Sequence, residues 1–288
     1  MSEREAAPLP ELDPAQTIEV IAGFIRSQLE QAGFDRLVVG LSGGVDSSAA
    51  AFLAARAIAP ENLLAIRMPY RSSSPVAEAD ALLVVEALGC RTELVDITSM
   101  VDPMLELIGP EDDPSLRVRR GNVMARQRMI VLYDRSAAFD ALVLGTSNKT
   151  EALLGYGTLH GDMAAALQPI GDLYKSQLRA VAAELGVPER IVAKPPSADL
   201  WPGQTDEGEL GASYDDLDRI LFALVDRRWT VDRCVGAGLD RRLVEWVARR
   251  VAQTEFKRQL PPVAKVSLRT PGIDHLYPRR RPGSRRGS

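Results

Sequence analysis

Leu37-Val38-Val39-Gly40-Leu41 is apolar or glycine at every position and runs directly into Ser42-Gly43-Gly44-Val45-Asp46-Ser47-Ser48. A short run without polar alternation suits a strand covered on both faces, as in a parallel sheet sandwiched between helices. A glycine-rich turn that follows such a strand and opens a helix is the first half of a βαβ unit, and it narrows the fold to the α/β class.

The alternation continues along the chain. Ile18, Ile21, Ala22, Ile25 and Leu29 repeat at helical spacing within Thr17–Gln31, before Gly33. Beyond the loop the pattern predicts helices over Asp46–Ile58, Val76–Leu88 and Asn122–Ala138, and strands over Leu63–Met68, Thr92–Ile97 and Ala141–Leu144. The expected fold is therefore α/β, a Rossmann-like open parallel sheet with helices on both faces. Past Thr158 the strand signal fades, and helices are expected near Lys175–Leu185, Ser213–Asp226 and Arg241–Phe256. One domain over 1–270 is expected, with a nucleotide-binding core at 35–200, a helical part at 210–260 and a Pro/Arg-rich tail at 271–288. Arg71–Pro75 and Pro202–Gly211 read as mobile loops of the kind that close over substrates.

Composition excludes several classes. Of 288 residues 45% are hydrophobic and 26% charged, as in soluble globular proteins, and no stretch is apolar for long enough to span a bilayer. The first residues lack a signal-peptide core, and two cysteines, Cys90 and Cys234, make no disulfide framework, so a cytoplasmic protein is expected. The net charge is −4 although five arginines lie in 278–288, so the remaining body is strongly acidic and poorly suited to bulk nucleic-acid binding. The tail reads as a basic patch or as a solvated end; its lack of aromatic and apolar residues favours the second. The only histidines, His160 and His275, give little material for a histidine zinc site or a Ser-His-Asp triad.

The glycine loop has the make-up of a phosphate cradle. Gly43 and Gly44 let backbone amides approach phosphate oxygens, the following helix offers unpaired N–H groups and its positive dipole end, and Ser42, Ser47 and Ser48 add hydroxyls. Asp46 offers a hard oxygen for magnesium or, more plainly, a helix cap. The loop lacks the lysine and spacing of a Walker motif.

This run resembles the SGGxDS loop of the N-type ATP pyrophosphatases, which cleave ATP between its α and β phosphates to form an adenylate. Further motifs resemble the NAD synthetase family, in compatible order from about Thr17 to Val266: GNVMARQRM at 121–129, GTSNKTE at 145–151, LYKSQL at 173–178, KPPSADL at 194–200 and TEFKRQLPP at 254–262, with GYGTLHGDM at 155–163 resembling a substrate loop more often seen in the family's glutamine-dependent branch than in its ammonia-dependent one. The resemblance implies an ATP site made by Gly40, Ser42, Gly43, Gly44, Asp46, Ser47, Ser48, Thr146, Lys175 and Ser197, with the adenine near Arg67 and Met68. It implies deamido-NAD contacts from Arg126, His160, Asp162 and Lys257, a magnesium site at Asp46 and Glu151, and Asp46 and Lys175 as the catalytic pair.

Plainer readings remain open at this point. Met68 suits a core position, Arg126 a solvated helix face, Lys175 a helix start, Lys257 a helix C-cap and Glu151 an N-cap partner counted from Ser147. The chain departs from the family's pattern at Leu159, Ala166, His160 and Phe256. The resemblance implies ATP, deamido-NAD and ammonia as substrates, Mg2+ as cofactor, a homodimer, and no nucleic-acid or membrane partner. Some forty residues before the loop leave no room for a glutaminase domain, so free ammonia is the expected nitrogen source, with a separate glutaminase subunit as the other possibility. The alternatives are a tRNA-thiolating or purine-amidating relative, or a nucleotide-binding sensor.

Overall fold

In the computed structural model, which describes residues 8–110, 113–197, 205–271 and 273–274, strand β1 (Leu37–Gly40) is central. It pairs in parallel with β2 (Leu63–Arg67) on one side and β4 (Leu142–Leu144) on the other, with Val38 opposite Leu64 and Val143. An edge strand, β3 (Arg91–Leu94), extends the sheet beyond β2, so the order is β3-β2-β1-β4. The α/β class, the parallel sheet and its helical cover are as the sequence predicts.

Alternate residues of β1 serve opposite layers, because successive side chains of a strand point to opposite faces. Leu37 and Val39 join a core with α1 (Pro14–Ala32), α2 (Val45–Ala57) and α3 (Pro75–Leu88), whereas Val38 joins Leu64, Ile66 and Met68 in a second core with α4 (Thr98–Ile108) and α5 (Arg117–Phe139). The first two crossovers step from β1 outward to β3; the third returns past β1 to β4. Since crossovers share one hand, reversing direction moves the connecting helices to the other face. It also opens a crevice at the carboxyl ends of β1 and β4, where open α/β sheets bind ligands.

Five short or medium segments follow β4: α6 (Lys149–Leu154), α7 (Lys175–Glu184), α8 (Glu189–Val192), α9 (Asp206–Leu210) and α10 (Tyr214–Leu221). Helices α11 (Val231–Gly236) and α12 (Arg241–Gln253) complete a third core with α6 and α10 around Leu154, Leu217, Cys234, Val244 and Val247. Helix α7 connects this cluster to the sheet, packing on α1 and α2 as well as on α10. No helix among the described residues is long and apolar enough to cross a membrane.

The differences from the sequence reading are local. Helix α4 was not predicted; Pro103 interrupts its periodicity and removes a ladder bond. Helix α5 starts at Arg117 rather than Asn122, and Arg120 turns inward to donate to the carbonyls of Leu105 and Gly109 at the end of α4. Strand β3 stops at Leu94 instead of reaching Ile97. Arg71–Pro75, read as mobile, is pinned: the Arg71 amide donates to Thr98 Oγ1, Arg71 Nη1 meets Asp102 at 2.6 Å, and Ser74 caps α3. Within the other such segment, Pro202–Gly211, residues 202–204 lie outside the described residues and Asp206–Leu210 forms α9. The arginine tail, with His275, also lies outside them.

Gly43 is left-handed at φ 73°, and a Cβ there would stand 2.1 Å from the Ala77 carbonyl oxygen of α3. Gly44 has φ −93°, and its added Cβ would meet nothing nearer than Ser42 Oγ at 3.4 Å. Gly43→Ala is therefore expected to lower stability by about 2 kcal/mol or more, whereas Gly44→Ala changes it by less than about 1 kcal/mol, both read by urea unfolding of the ligand-free protein.

Candidate active site

The phosphate loop is ordered by its own serines. The Ser42 amide donates to Ser47 Oγ at 3.2 Å, the two hydroxyls meet at 3.0 Å, and Ser48 Oγ donates to the Gly44 carbonyl at 2.8 Å. Gly44 is the N-cap of α2 and supplies no side-chain cap bond, so Asp46 is not spent on capping. The first amides of α2 keep the character of an anion site.

Asp46 reaches out of that first turn to two partners. Lys175 Nζ, at the start of α7, lies 2.5 Å from Asp46 Oδ2, and Asn148 Nδ2 donates to Asp46 Oδ1 at 2.8 Å. Lys175 is 1% exposed and also meets Glu151 Oε1 at 3.2 Å. The plain helix-start reading of Lys175 thus gives way to a buried ammonium between two carboxylates. Burial works to lower its pKa, but the charges of Asp46 and Glu151 outweigh this and hold it above the ordinary lysine value.

Glu151 does two things at once. With Asn148 as N-cap it forms a capping box: the Glu151 amide donates to Asn148 Oδ1 at 2.9 Å, and the Asn148 amide donates to Glu151 Oε2 at 3.4 Å. The capping partner is thus Asn148, not Ser147. Its other oxygen faces Lys175. Burial and the neighbouring Asp46 charge push the Glu151 pKa up to about 8, against the downward pull of Lys175.

Three residues that the sequence reading missed complete this cluster. Asn148 is fully buried; an Asn-x-x-Glu spacing just after a strand was its available signal. Asp206, 5% exposed at the start of α9, accepts from the hydroxyls of Tyr156 and Tyr214, each at 3.1 Å. The Tyr214 ring lies 5.1 Å beneath Lys175 Nζ. Asp206 hid within an acidic, glycine-rich stretch that read as a loop.

The residues expected to meet deamido-NAD gather around 155–163. Arg126 donates to the Leu159 carbonyl through Nε and Nη2, at 3.4 and 3.3 Å. Lys257 Nζ donates to the carbonyls of Gly155 and Gly157 at 2.8 and 2.7 Å, so it caps a helix end, that of α6 rather than its own. Asp162 accepts from the Thr158 amide at 2.6 Å, and exposed His160 adopts φ 59°. Phe256 is exposed beside Lys257.

The remaining expected ATP residues are placed less tellingly. Met68 is 9% exposed in the second core, and a Cβ on Gly40 would lie 3.1 Å from its Cε, so both positions are explained by packing as well. Arg67 is ion-paired with Glu78 and donates to Thr92 Oγ1, while the Met68 carbonyl takes Arg128 Nε at 3.0 Å. Thr146 follows β4 on the crevice side, after Gly145. Ser197 follows Pro196, whose carbonyl accepts from the Asp206 amide at 3.0 Å.

A family model described as NAD synthase matches residues 17–261. The chain is 48% identical over 268 residues to an NH(3)-dependent NAD(+) synthetase of Chlorobium phaeobacteroides, covering 93% of this chain and 95% of that one. Among solved structures it superposes on the NH3-dependent NAD synthetase of Campylobacter jejuni in complex with nitrate at TM-score 0.73, with 33% identity over 88% of this chain and 100% of that one. It also superposes on an NMN synthetase of Francisella tularensis at TM-score 0.77, with 29% identity over 88% and 99% of the two chains.

A carboxylate whose pKa is raised on folding favours the native state at low pH. The contribution of Glu151 is full below about 4.3, the unfolded value, and is lost as pH rises through about 8. Without ligands the melting temperature is expected to fall more between pH 7 and 9 than that of Glu151→Gln. Parallel profiles for the two proteins would show that Glu151 is already ionised at neutral pH.

Proposed function

The chain belongs to the NAD synthase family, and from that premise we propose that it adenylates the carboxylate of deamido-NAD with ATP and lets ammonia displace AMP, giving NAD, AMP and diphosphate. Lys175 held between Asp46 and Glu151 beside the phosphate loop is the observation that carries this reading. Family membership sets aside the tRNA-thiolating, purine-amidating and sensor alternatives. Free ammonia as the nitrogen source is supported by relatives bearing that name whose length the chain covers almost fully.

A carboxylate resists amidation because its leaving group would be oxide; joined to AMP it gains a stabilised leaving group. The amides of Gly43 and Gly44, with the hydroxyls of Ser42, Ser47 and Ser48, are placed to accept the diphosphate as it departs from the α phosphorus. The Lys175 ammonium balances the charge that develops there, and the preorganised donors do this without rearrangement. Arg126 and Lys257 hold the wall formed by 155–163 and orient deamido-NAD, with Asp162 and His160 beside them. Thr146, Ser197, Gly40, Arg67 and Met68 are assigned to ATP on the motif match.

Mg2+ suits the donor set. The ion binds through one or two carboxylates plus substrate phosphates, and Asp46 and Glu151 already converge on a cation, the Lys175 ammonium. These two residues would hold Mg2+, which when bound offsets phosphate charge and polarises the α phosphorus.

The same reading includes a homodimer. Met100, Met104 and Leu107 lie exposed at i, i+4, i+7 spacing on α4, and Val118, Ile130 and Tyr133 are exposed on α5, which packs against it. This apolar surface supports burial between two copies. Free, buried Cys90 and Cys234 agree with a cytoplasmic setting.

Purified protein given ATP, Mg2+ and deamido-NAD is expected to release NAD, AMP and diphosphate with ammonium and not with glutamine. Nicotinate mononucleotide serves as the competing substrate; its preferential amidation, or formation of ADP, would contradict the assignment. Lys175→Met is expected to lower kcat by about 100-fold or more while leaving the secondary structure content unchanged.

A further inference from the structure

Asp80 of α3 is 1% exposed and takes no part in the reaction just described. It abuts the phosphate loop: its Cβ lies 3.1 Å from where a Gly43 Cβ would stand, next to the Ala77 carbonyl that crowds the same point. Two cations converge on its single carboxylate. Arg190 Nε of α8 donates to Oδ1 at 2.6 Å, and Lys194 Nζ, just beyond α8, donates to Oδ2 at 2.9 Å. Burial works to raise the Asp80 pKa, but these two partners hold it below the usual carboxylate value.

One carboxylate neutralises one cation, so the cluster carries a surplus positive charge beside the loop. Neither cation is enclosed: the side chains of Arg190 and Lys194 are 54% and 32% exposed, against 2% for Asp80. The loop itself contains no lysine, and Lys175 is already shared by two carboxylates. Lys194 also begins the segment that runs through Pro195 and Pro196 to Ser197, and Pro196 is tied to Asp206 in the Lys175 cluster. Asp80 thus docks one end of this segment on the loop while Asp206 fixes the other near the reacting phosphates.

We propose that Lys194, supported by Arg190 and anchored by Asp80, is a second cationic wall of the phosphate site that binds the terminal phosphates of ATP and the departing diphosphate. The inference rests on the assignment of ATP cleavage to this loop. Asp80 is a positioning residue, which keeps the two cations against the loop between turnovers. A diphosphate presents several acceptor oxygens and outcompetes a half-shared carboxylate for the Lys194 ammonium, whose remaining donors are open to it.

The test is calorimetric titration of inorganic diphosphate with Mg2+, alongside steady-state kinetics, on Lys194→Gln and Lys194→Arg. Hydrogen bonds to charged groups are worth about 1.5–3 kcal/mol, so Lys194→Gln is expected to weaken diphosphate binding and raise the KM for ATP by about 10-fold or more. The KM for deamido-NAD and the melting temperature should stay near their unmutated values, and Lys194→Arg should restore most of the affinity. Unchanged diphosphate affinity in folded Lys194→Gln, with the unmutated protein making NAD, overturns the inference alone. Equal losses toward both substrates with a lowered melting temperature overturn it in favour of a structural role. Weakened diphosphate binding in a protein that makes no NAD would support the phosphate wall and refute the proposed reaction.

Discussion

A lysine ammonium removed from water must be compensated, and in this chain the compensation organises the active centre. Lys175 stands at the first turn of α7, Asp46 at the first turn of α2 and Glu151 at the first turn of α6. The isolated ammonium would cost several kcal/mol at this depth, and two carboxylates with an aromatic face offset it. The pairing spans 129 residues between Asp46 and Lys175, so the cluster forms only when the sheet and the later helices have docked. With Asp206 included, three acids surround one base. When Glu151 gives up its proton, negative charge stands in surplus, which is the electrostatic condition for attracting a divalent cation and its phosphate ligands.

Helix α6 carries Glu151, and its six residues are too few to hold themselves in place. Its N-terminus is fixed by the Asn148 capping box. Its C-terminus is gripped by α12 and the turn that follows it: Arg250 donates to the Leu154 carbonyl, Arg258 to those of Ala152 and Leu153, and Lys257 to that of Gly155. These are the carbonyls that a helix leaves unsatisfied, and cations there also meet the negative end of its dipole. Thr254 packs against Gly155 so closely that a Cβ on that glycine would lie 2.4 Å from the threonine Cβ. The C-terminal motif therefore also positions Glu151, through the end of the helix that carries it.

What the sequence made legible was local. The β1 run and the following glycines predicted both the buried strand and the loop, because strand burial and left-handed turns leave marks within a few residues. Helix α1 kept all five of its expected core positions. Asp46, Glu151 and Lys175 were named from motifs, but nothing near them in sequence indicated that they touch. Asp206 and Tyr214 went unnoticed because their role depends on meeting Tyr156 and Lys175, which are distant in sequence, and one acid among several in a glycine-rich stretch reads as solvated. Arg120 and Arg128 share a helix with Arg126, for which a solvated face is one reading of the sequence, yet both turn inward to backbone carbonyls.

The departures from the family's pattern weigh unequally once backbone and side-chain contacts are separated. Leu159 meets Arg126 through its carbonyl, which any residue at that position supplies, so this link survives the change of side chain. Ala166 likewise contributes a backbone amide to the Val143 carbonyl and helps extend the sheet beside β4. His160 is different, because a left-handed φ of 59° is tolerated better by some side chains than by others and the side chain itself stands exposed on the loop. Phe256 is also exposed, beside a lysine whose Nζ is already committed to two carbonyls. The backbone framework that positions the wall at 155–163 is thus insensitive to Leu159 and Ala166, so divergence at those two positions acts through the side chains alone, as it does at the exposed rings of His160 and Phe256.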